Sequence, residues 1–277
     1  MAESIQLEQA DGTAFDFEGE AARIITLSPH LTEIVYAAGA GERLIATVEY
    51  SDYPEAAKSV PRIGDAFRID IERVMSLQPD LVIAWESGNP HAAVSQLRAL
   101  SVPVWSVEIS EPAEIADVLE AVGRLTDQAD RTSALGQEFR RRLAALSELY
   151  ANQDVLAYFY QVGAKPLFTI NGNQLISKGL GLCGGRNIFN DEPGIAFQVS
   201  FESVIVADPD AIFAPFQEDS PNPLATWLDW PAMTAVKNKA LFLLPADPVS
   251  RAAPRFLDSL ELACKLLHQL RGQRSNG

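Results

Sequence analysis

The chain has 277 residues and a formal net charge of −15 at pH 7, from 22 Lys plus Arg against 37 Asp plus Glu. With 47% hydrophobic and 21% charged residues it is balanced like a soluble protein, and it is long enough for two lobes, each with a core. No apolar run reaches the ~18 residues of a membrane span. A surface this acidic repels polyphosphate, which argues against nucleic acid as a partner and favours a soluble monomer.

In chain order, MAESIQLEQADG has neither the basic start nor the apolar core of a secretory signal. The chain is therefore expected to be cytosolic, or to be a mature form carrying a start methionine. SIQLEQADGTAFDFE, residues 4–18, predicts a β-hairpin turning at Asp11-Gly12. Short apolar runs predict strands at 23–28 (RIITLS), 43–48 (RLIATV), 80–85 (DLVIAW) and 102–107 (VPVWSV). PAEIADVLEAVGRL, 112–125, predicts an amphipathic helix with Ile115, Val118, Leu119 and Val122 on one face and Pro112 near its start. Residues 126–150 keep a helical pattern around one interior glycine, Gly136, with Leu135, Phe139, Leu143 and Leu146 at helical spacing. At ~1.5 Å per residue that helix is well over 30 Å long. Further strands are predicted at 155–160, 211–216 and 240–245. Alternating strands and helices predict an α/β fold with parallel sheets covered on both faces. The expected organisation is two small Rossmann-like lobes, 1–125 and 151–277, joined by one long rigid helix, 126–150.

Two segments match without a gap. ERVMSLQPDLVIAW, 72–85, aligns with ESVIVADPDAIFAP, 202–215. Glu72 falls on Glu202, Val74 on Val204, Pro79 on Pro209 and Asp80 on Asp210. Each predicts a short helix, with Ile71, Val74 and Met75 as the apolar side of the first, ended by proline and followed by a buried strand. Two lobes of like architecture account for the repeat.

The usual catalytic signatures are absent: no GxSxG, HExxH or P-loop. GLGLCG, 179–184, fits GxGxxG but follows no clear strand and lacks the acidic partner, so it reads as a glycine-rich helix end. The histidines, His30, His91 and His268, are scattered and none is spaced as a metal pair; His268 reads as a surface residue of a C-terminal amphipathic helix. Ser28-Pro29-His30 brings a hydroxyl beside a base, but neighbours on a turn seldom face each other, and both read as helix-start residues. Cys183 and Cys264 are the only cysteines. They are two buried thiols of a cytosolic protein or one disulfide of an oxidising compartment. What remains is a set of aromatics at strand ends and in polar loops: Tyr50, Tyr53, Phe67, Trp85, Phe168 and Phe197. In open α/β sheets ligands bind at the carboxyl ends of strands, so this set predicts a binding surface and no enzyme.

RIITLSPHLTEIVYAAGAGERLIATVEYSDYPEAAKSVPRIGD resembles the N-terminal lobe of the substrate-binding proteins of ABC importers, in the helical-backbone class. EYSDYP (49–54), DLVIAWESGN (80–89), PLFT (166–169), CGGRNIF (183–189) and QVSFE (198–202) resemble the cobalamin branch more than the siderophore or metal branches. The similarity runs from about Arg23 to Leu270 and matches the two-lobe reading. It implies a ligand held between the lobes, a Cys183–Cys264 disulfide and a periplasmic location. It places ligand contacts at Tyr50, Trp85, Phe168, Phe197, Asp247 and Arg251. Where the branch carries tryptophans, this chain has Gly64-Asp65-Ala66-Phe67 and Phe197, so Phe67 joins the set as a smaller aromatic. His30 stands where the pattern has no histidine. Facing the ligand it would approach the metal of a corrinoid or haem; otherwise it caps the helix or lies on the surface. Glu72 and Glu202 favour their helix N-termini electrostatically, and the resemblance makes them docking points for arginines of the importer's permease subunits.

The resulting expectation is a periplasmic protein that captures cobalamin or a related corrinoid as transported ligand, with no cofactor of its own. Haem or a ferric siderophore is the alternative within the same fold. A siderophore site would want several basic residues, and Arg251 and Arg68 are the candidates. A nucleotide-dependent enzyme built on GLGLCG lacks both the preceding strand and catalytic neighbours.

Overall fold

The computed structural model of the chain describes residues 4–275. The chain divides into two units, each built around its own parallel sheet. The first comprises the chain up to Ile109, Ala113–Arg140 and Ala252–Pro254; the second comprises Ser110–Pro112, Arg141–Arg251 and the chain from Arg255 on.

In the first unit the parallel sheet has the spatial order Leu44–Ala46, Ile24–Thr26, Leu81–Trp85, Val104–Val107. The N-terminal hairpin pairs Ser4–Glu8 antiparallel with Ala14–Glu18, and Gly12 supplies the positive φ of its turn (+81°). The second unit repeats the same parallel order: Gly185–Asn187, Leu156–Tyr160, Ala211–Phe216, Leu241–Pro245. All the predicted strands form. The central strands are buried on both faces, as continuous apolar runs require, whereas Leu241–Pro245 at the sheet edge is only partly covered. Tyr158 and Tyr160 lie fully inside the second unit, and burial pushes both phenols' pKa values up.

The sequence repeat has a physical basis. Asp70 caps the helix Ile71–Leu77 by accepting the Arg73 N–H at 2.9 Å; Ser200 caps Phe201–Ala207 by accepting the Ser203 N–H at 3.1 Å. Val74 and Val204 are each helix's fully buried anchor. The helices do not run to the prolines as expected. Each closes on a left-handed residue before the proline, Gln78 (φ +48°) and Asp208 (φ +41°). The aspartate after each proline then ties down the start of the neighbouring strand. Asp80 accepts the N–H groups of Ala22 (2.8 Å) and Arg23 (2.9 Å), and Asp210 that of Ala157 (2.9 Å).

The helix Glu114–Leu125 buries Ile115, Val118, Leu119 and Val122, as its periodicity predicts. The long helix spans Ala129–Tyr150, 22 residues or ~33 Å, and begins three residues later than expected. The missed signal is Asp127, left-handed at φ +55°, which with the Gln128 N–H bonded to the Gly123 carbonyl (2.8 Å) makes a tight turn. The chain passes from the first unit to the second within this helix, between Arg140 and Arg141. Arg140 pairs with Asp117 and Glu120 of the first unit, Arg142 with Asp258 and Glu261 of the second.

The residues at helical spacing are not all buried. Leu135 is 40% exposed, whereas Thr132, Gly136, Phe139 and Leu146 are buried. Small residues let this helix press against Glu114–Leu125. A Cβ on Gly123 would overlap the Thr132 side chain, and one on Gly136 would overlap Glu120. Gly123→Ala is therefore expected to destabilise the protein by about 1–3 kcal/mol despite alanine's better helix propensity, read as a lower denaturant midpoint.

GLGLCG forms the end of the helix Leu175–Leu182 and its closing turn, with Gly184 at φ +70°. Gly179 sits against Phe256 and Leu260 of the C-terminal helix Phe256–Ser275, so these glycines serve helix packing. The Cys183–Cys264 disulfide joins the same two helices, with Cα atoms 5.2 Å apart and both residues fully buried. Arg271 donates to the carbonyls of Asp154 (2.7 Å) and Cys183 (2.6 Å), closing the turn from the other side. His268 is exposed on the C-terminal helix, as expected.

Candidate ligand-binding site

In the first unit the candidate residues follow the carboxyl ends of the strands. Trp85 is the last residue of its strand, and the loop Glu86–Asn89 folds back under it. Gly88 lies against the indole, where any Cβ would overlap the ring. Glu108 accepts the Trp85 Nε1–H at 3.4 Å and the Ser87 N–H at 2.9 Å. The His30 ring meets the indole edge-on, centroids 5.3 Å apart and planes at 89°. Trp85 is thus held on several sides and remains only partly buried.

His30 is 9% exposed, so it is not a surface residue, and it lies inside the helix Pro29–Ala38, whose N-cap is Ser28, so it does not cap it. Ser28 and His30, expected not to face each other, do: Ser28 Oγ lies 3.0 Å from His30 Nδ1. Ser28 is the extended residue before the helix Pro29–Ala38, and its hydroxyl caps no backbone group, which leaves it to engage the imidazole. Below lies a buried hydroxyl cluster. Thr26 and Thr47 each approach Thr32 at 2.7 Å, and Thr47 bonds Ser51 at 2.9 Å.

That cluster anchors Tyr50. Its backbone is left-handed (φ +66°), a conformation costly for a bulky residue unless its neighbours are fixed. Ser51 is fixed by the hydroxyls and by Arg62 Nη2, which donates to its carbonyl at 2.7 Å; the Glu49 N–H donates to the Gly64 carbonyl at 2.8 Å. The Tyr50 side chain is 77% exposed. Phe67, 72% exposed, tips the small hairpin Gly64–Asp65/Arg68–Ile69, whose turn is held by the Asp65 carboxylate accepting the N–H groups of Phe67 and Arg68 at 2.8 Å. Gly64, at φ +112°, admits no Cβ because it would strike the Arg68 carbonyl.

In the second unit Phe168 lies on Leu167–Ile170 and Phe197 on the paired strand Ala196–Gln198. The register sets Phe168 opposite Gln198, and Phe197 opposite the buried Thr169. Alternation therefore puts the two phenylalanines on opposite faces of this sheet, and the structure does not bring them together. Phe197 is partly buried and meets Phe189 edge-on at 6.0 Å; Phe168 remains exposed. The helix Ala246–Ser250 begins at the carboxyl end of the strand Leu241–Pro245, and Asp247 there pairs with the largely buried Arg251 at 3.2 Å. Glu72 and Glu202 occupy equivalent exposed positions in the first turns of their short helices, and neither has a polar partner among the described residues.

Among the described residues no three His, Cys, Asp or Glu side chains converge as metal ligands, and no helix is long and apolar enough to cross a membrane. The family model of the periplasmic binding proteins matches residues 24–248. The chain belongs to the periplasmic binding protein family. This periplasmic binding protein is 39% identical over 251 residues to the vitamin B12-binding protein of Vibrio cholerae, covering 89% of each chain. Its fold overlays the crystal structure of the periplasmic vitamin B12 binding protein of Vibrio cholerae with a TM-score of 0.84, at 38% identity over 91% of this chain and 98% of that one. The periplasmic heme-binding protein of Roseiflexus sp. RS-1 shares the fold at TM-score 0.78 and 22% identity, covering 91% of this chain and 99% of that one.

The residues that sequence reasoning missed are those behind the aromatics: Gly88, Asn89, Glu108 and the hydroxyl cluster. The break after Trp85 into Glu-Ser-Gly-Asn was the one local signal; the partners lie far away in sequence.

Proposed function

We propose that this protein captures cobalamin or a closely related corrinoid in the periplasm and delivers it to an ABC importer, without chemistry of its own. The observation that carries this reading is the 39% identity to a vitamin B12-binding protein over 89% of both chains. The chemistry of the exposed side chains supports it. A corrin is broad and largely apolar, with amide arms at its rim. Tyr50, Phe67 and Trp85 of the first unit and Phe168 of the second offer flat rings at little entropic cost. Asp247 and Arg251 suit the amide arms as acceptor and donor. His30 acts on the ligand through the ring of Trp85. Haem has less support, resting on a fold shared at 22% identity.

Glu72 and Glu202 are the docking points for basic residues of the permease, one per unit. Their favourable interaction with a helix N-terminus is worth only about 0.3–1 kcal/mol at an exposed site, and exposed charges of this kind chiefly steer and orient association.

Two results test the reading. Protein mixed with cyanocobalamin and desalted should elute coloured, with one corrinoid per chain. Reversing both charges, Glu72→Arg with Glu202→Arg, should abolish corrinoid uptake by cells that depend on this protein while leaving the purified protein's affinity within about twofold. Loss of affinity in that variant would refute the docking assignment.

A further inference from the structure

We propose that Asn89 is a positioning residue for the ligand: one side chain ties the strand end carrying Trp85 to the loop carrying Phe67, fixing the backbone from which both rings project. The inference rests on the corrinoid-binding reading above.

Asn89 is 5% exposed, so it acts through its neighbours. Its Oδ1 accepts the Trp85 N–H at 2.7 Å. Its Nδ2 donates to the Leu27 carbonyl at 2.9 Å and to the Ala66 carbonyl at 3.0 Å. Its own N–H returns to the Trp85 carbonyl at 2.9 Å, so the Trp85 backbone is held twice by this residue. Leu27 ends the run that continues into Ser28 and His30, the group edge-on to Trp85. Ala66 immediately precedes Phe67. The site needs one acceptor and two donors on one short planar group. Asparagine supplies that set; aspartate lacks the donors and aliphatic residues lack both. A satisfied buried polar network fixes one arrangement, and rings fixed before binding lose less freedom when the ligand arrives.

The test is a double-mutant cycle read by titration with cyanocobalamin. Asn89→Ala is expected to weaken binding about tenfold, with one-to-one stoichiometry retained. In a Trp85→Ala background the same change should cost only about threefold or less, because one of the rings it positions is gone. An Asn89→Ala protein within about twofold of the parent, or an equal loss in both backgrounds, would overturn the proposal, since a general structural defect is indifferent to Trp85. If Asn89→Ala does not fold, Asn89→Asp carries the test. It keeps the acceptor for Trp85 but sets a carboxylate against the Leu27 and Ala66 carbonyls. Its loss should shrink in a Phe67→Ala background; a loss undiminished there would overturn the proposal. A parent protein that does not bind cyanocobalamin refutes the corrinoid reading itself. A parent that binds while Asn89 variants are unaffected refutes only the positioning role.

Discussion

Trp85→Ala is expected to weaken cyanocobalamin binding by roughly 2–4 kcal/mol, about 30- to 1,000-fold in Kd, with little change in thermal stability. The indole is the largest aromatic of the candidate set, and a tryptophan buries about 150–250 Å² when fully covered. Here the ring is placed before any ligand arrives. Gly88 lies against it, His30 meets its edge at 5.3 Å, and Glu108 accepts its N–H. Little conformational freedom remains to be lost on binding, so most of the ring's contact energy would appear as affinity. Trp85→Phe should fall between the two, because it retains a flat face but loses area and the bond to Glu108. Calorimetric titration of the three proteins, with a melting curve for each, measures both parts. An alanine variant that binds within about threefold of the parent would remove Trp85 from the site.

Removing the disulfide is expected to cost roughly 4 kcal/mol of stability in the chain-entropy model for a loop of this length. Cys183 and Cys264 are 81 residues apart and fully buried where two helices of the second unit meet. The Cys183→Ala, Cys264→Ala protein should unfold at a markedly lower denaturant concentration, and reductant should shift the parent's midpoint but not the variant's. Neither cysteine belongs to the candidate aromatic set, so corrinoid affinity well below the transition should stay near that of the parent. A variant as stable as the parent would show that helix packing around Arg271 and Gly179 suffices without the bridge.

Much of this architecture was legible because its causes are local. The strands are short apolar runs that must be buried on both faces, and Asp11-Gly12 names its own turn. The aligned Glu-x-Val and Pro-Asp pairs disclosed the repeat because cap, anchor and strand tie sit at fixed offsets within about a dozen residues. What failed was non-local or depended on backbone conformation. The long helix starts three residues later than its pattern predicts because Asp127 turns the chain through a positive φ that aspartate seldom announces. Leu135 shares the helical spacing of Phe139 and Leu146 yet is exposed, because Gly136 and Thr132 face the neighbouring helix, which needs small side chains there for close approach. The aromatics Tyr50, Phe67 and Trp85 could be nominated from their positions after strands. Their supports could not, because Asn89 reaches Leu27 and Ala66 across 62 and 23 residues. Ser28 and His30 read as neighbours on a turn that do not face each other, yet the extended Ser28 backbone brings hydroxyl and imidazole together. Phe168 and Phe197 looked alike as strand aromatics, and only the register assigned them to opposite faces.

Calorimetric titration with cyanocobalamin, with haemin titrated in parallel, decides whether the protein is a corrinoid carrier. One corrinoid should bind per chain with a Kd below about 1 μM, and haemin should give no saturable heat. Saturable haemin binding with no heat from cyanocobalamin would contradict that role.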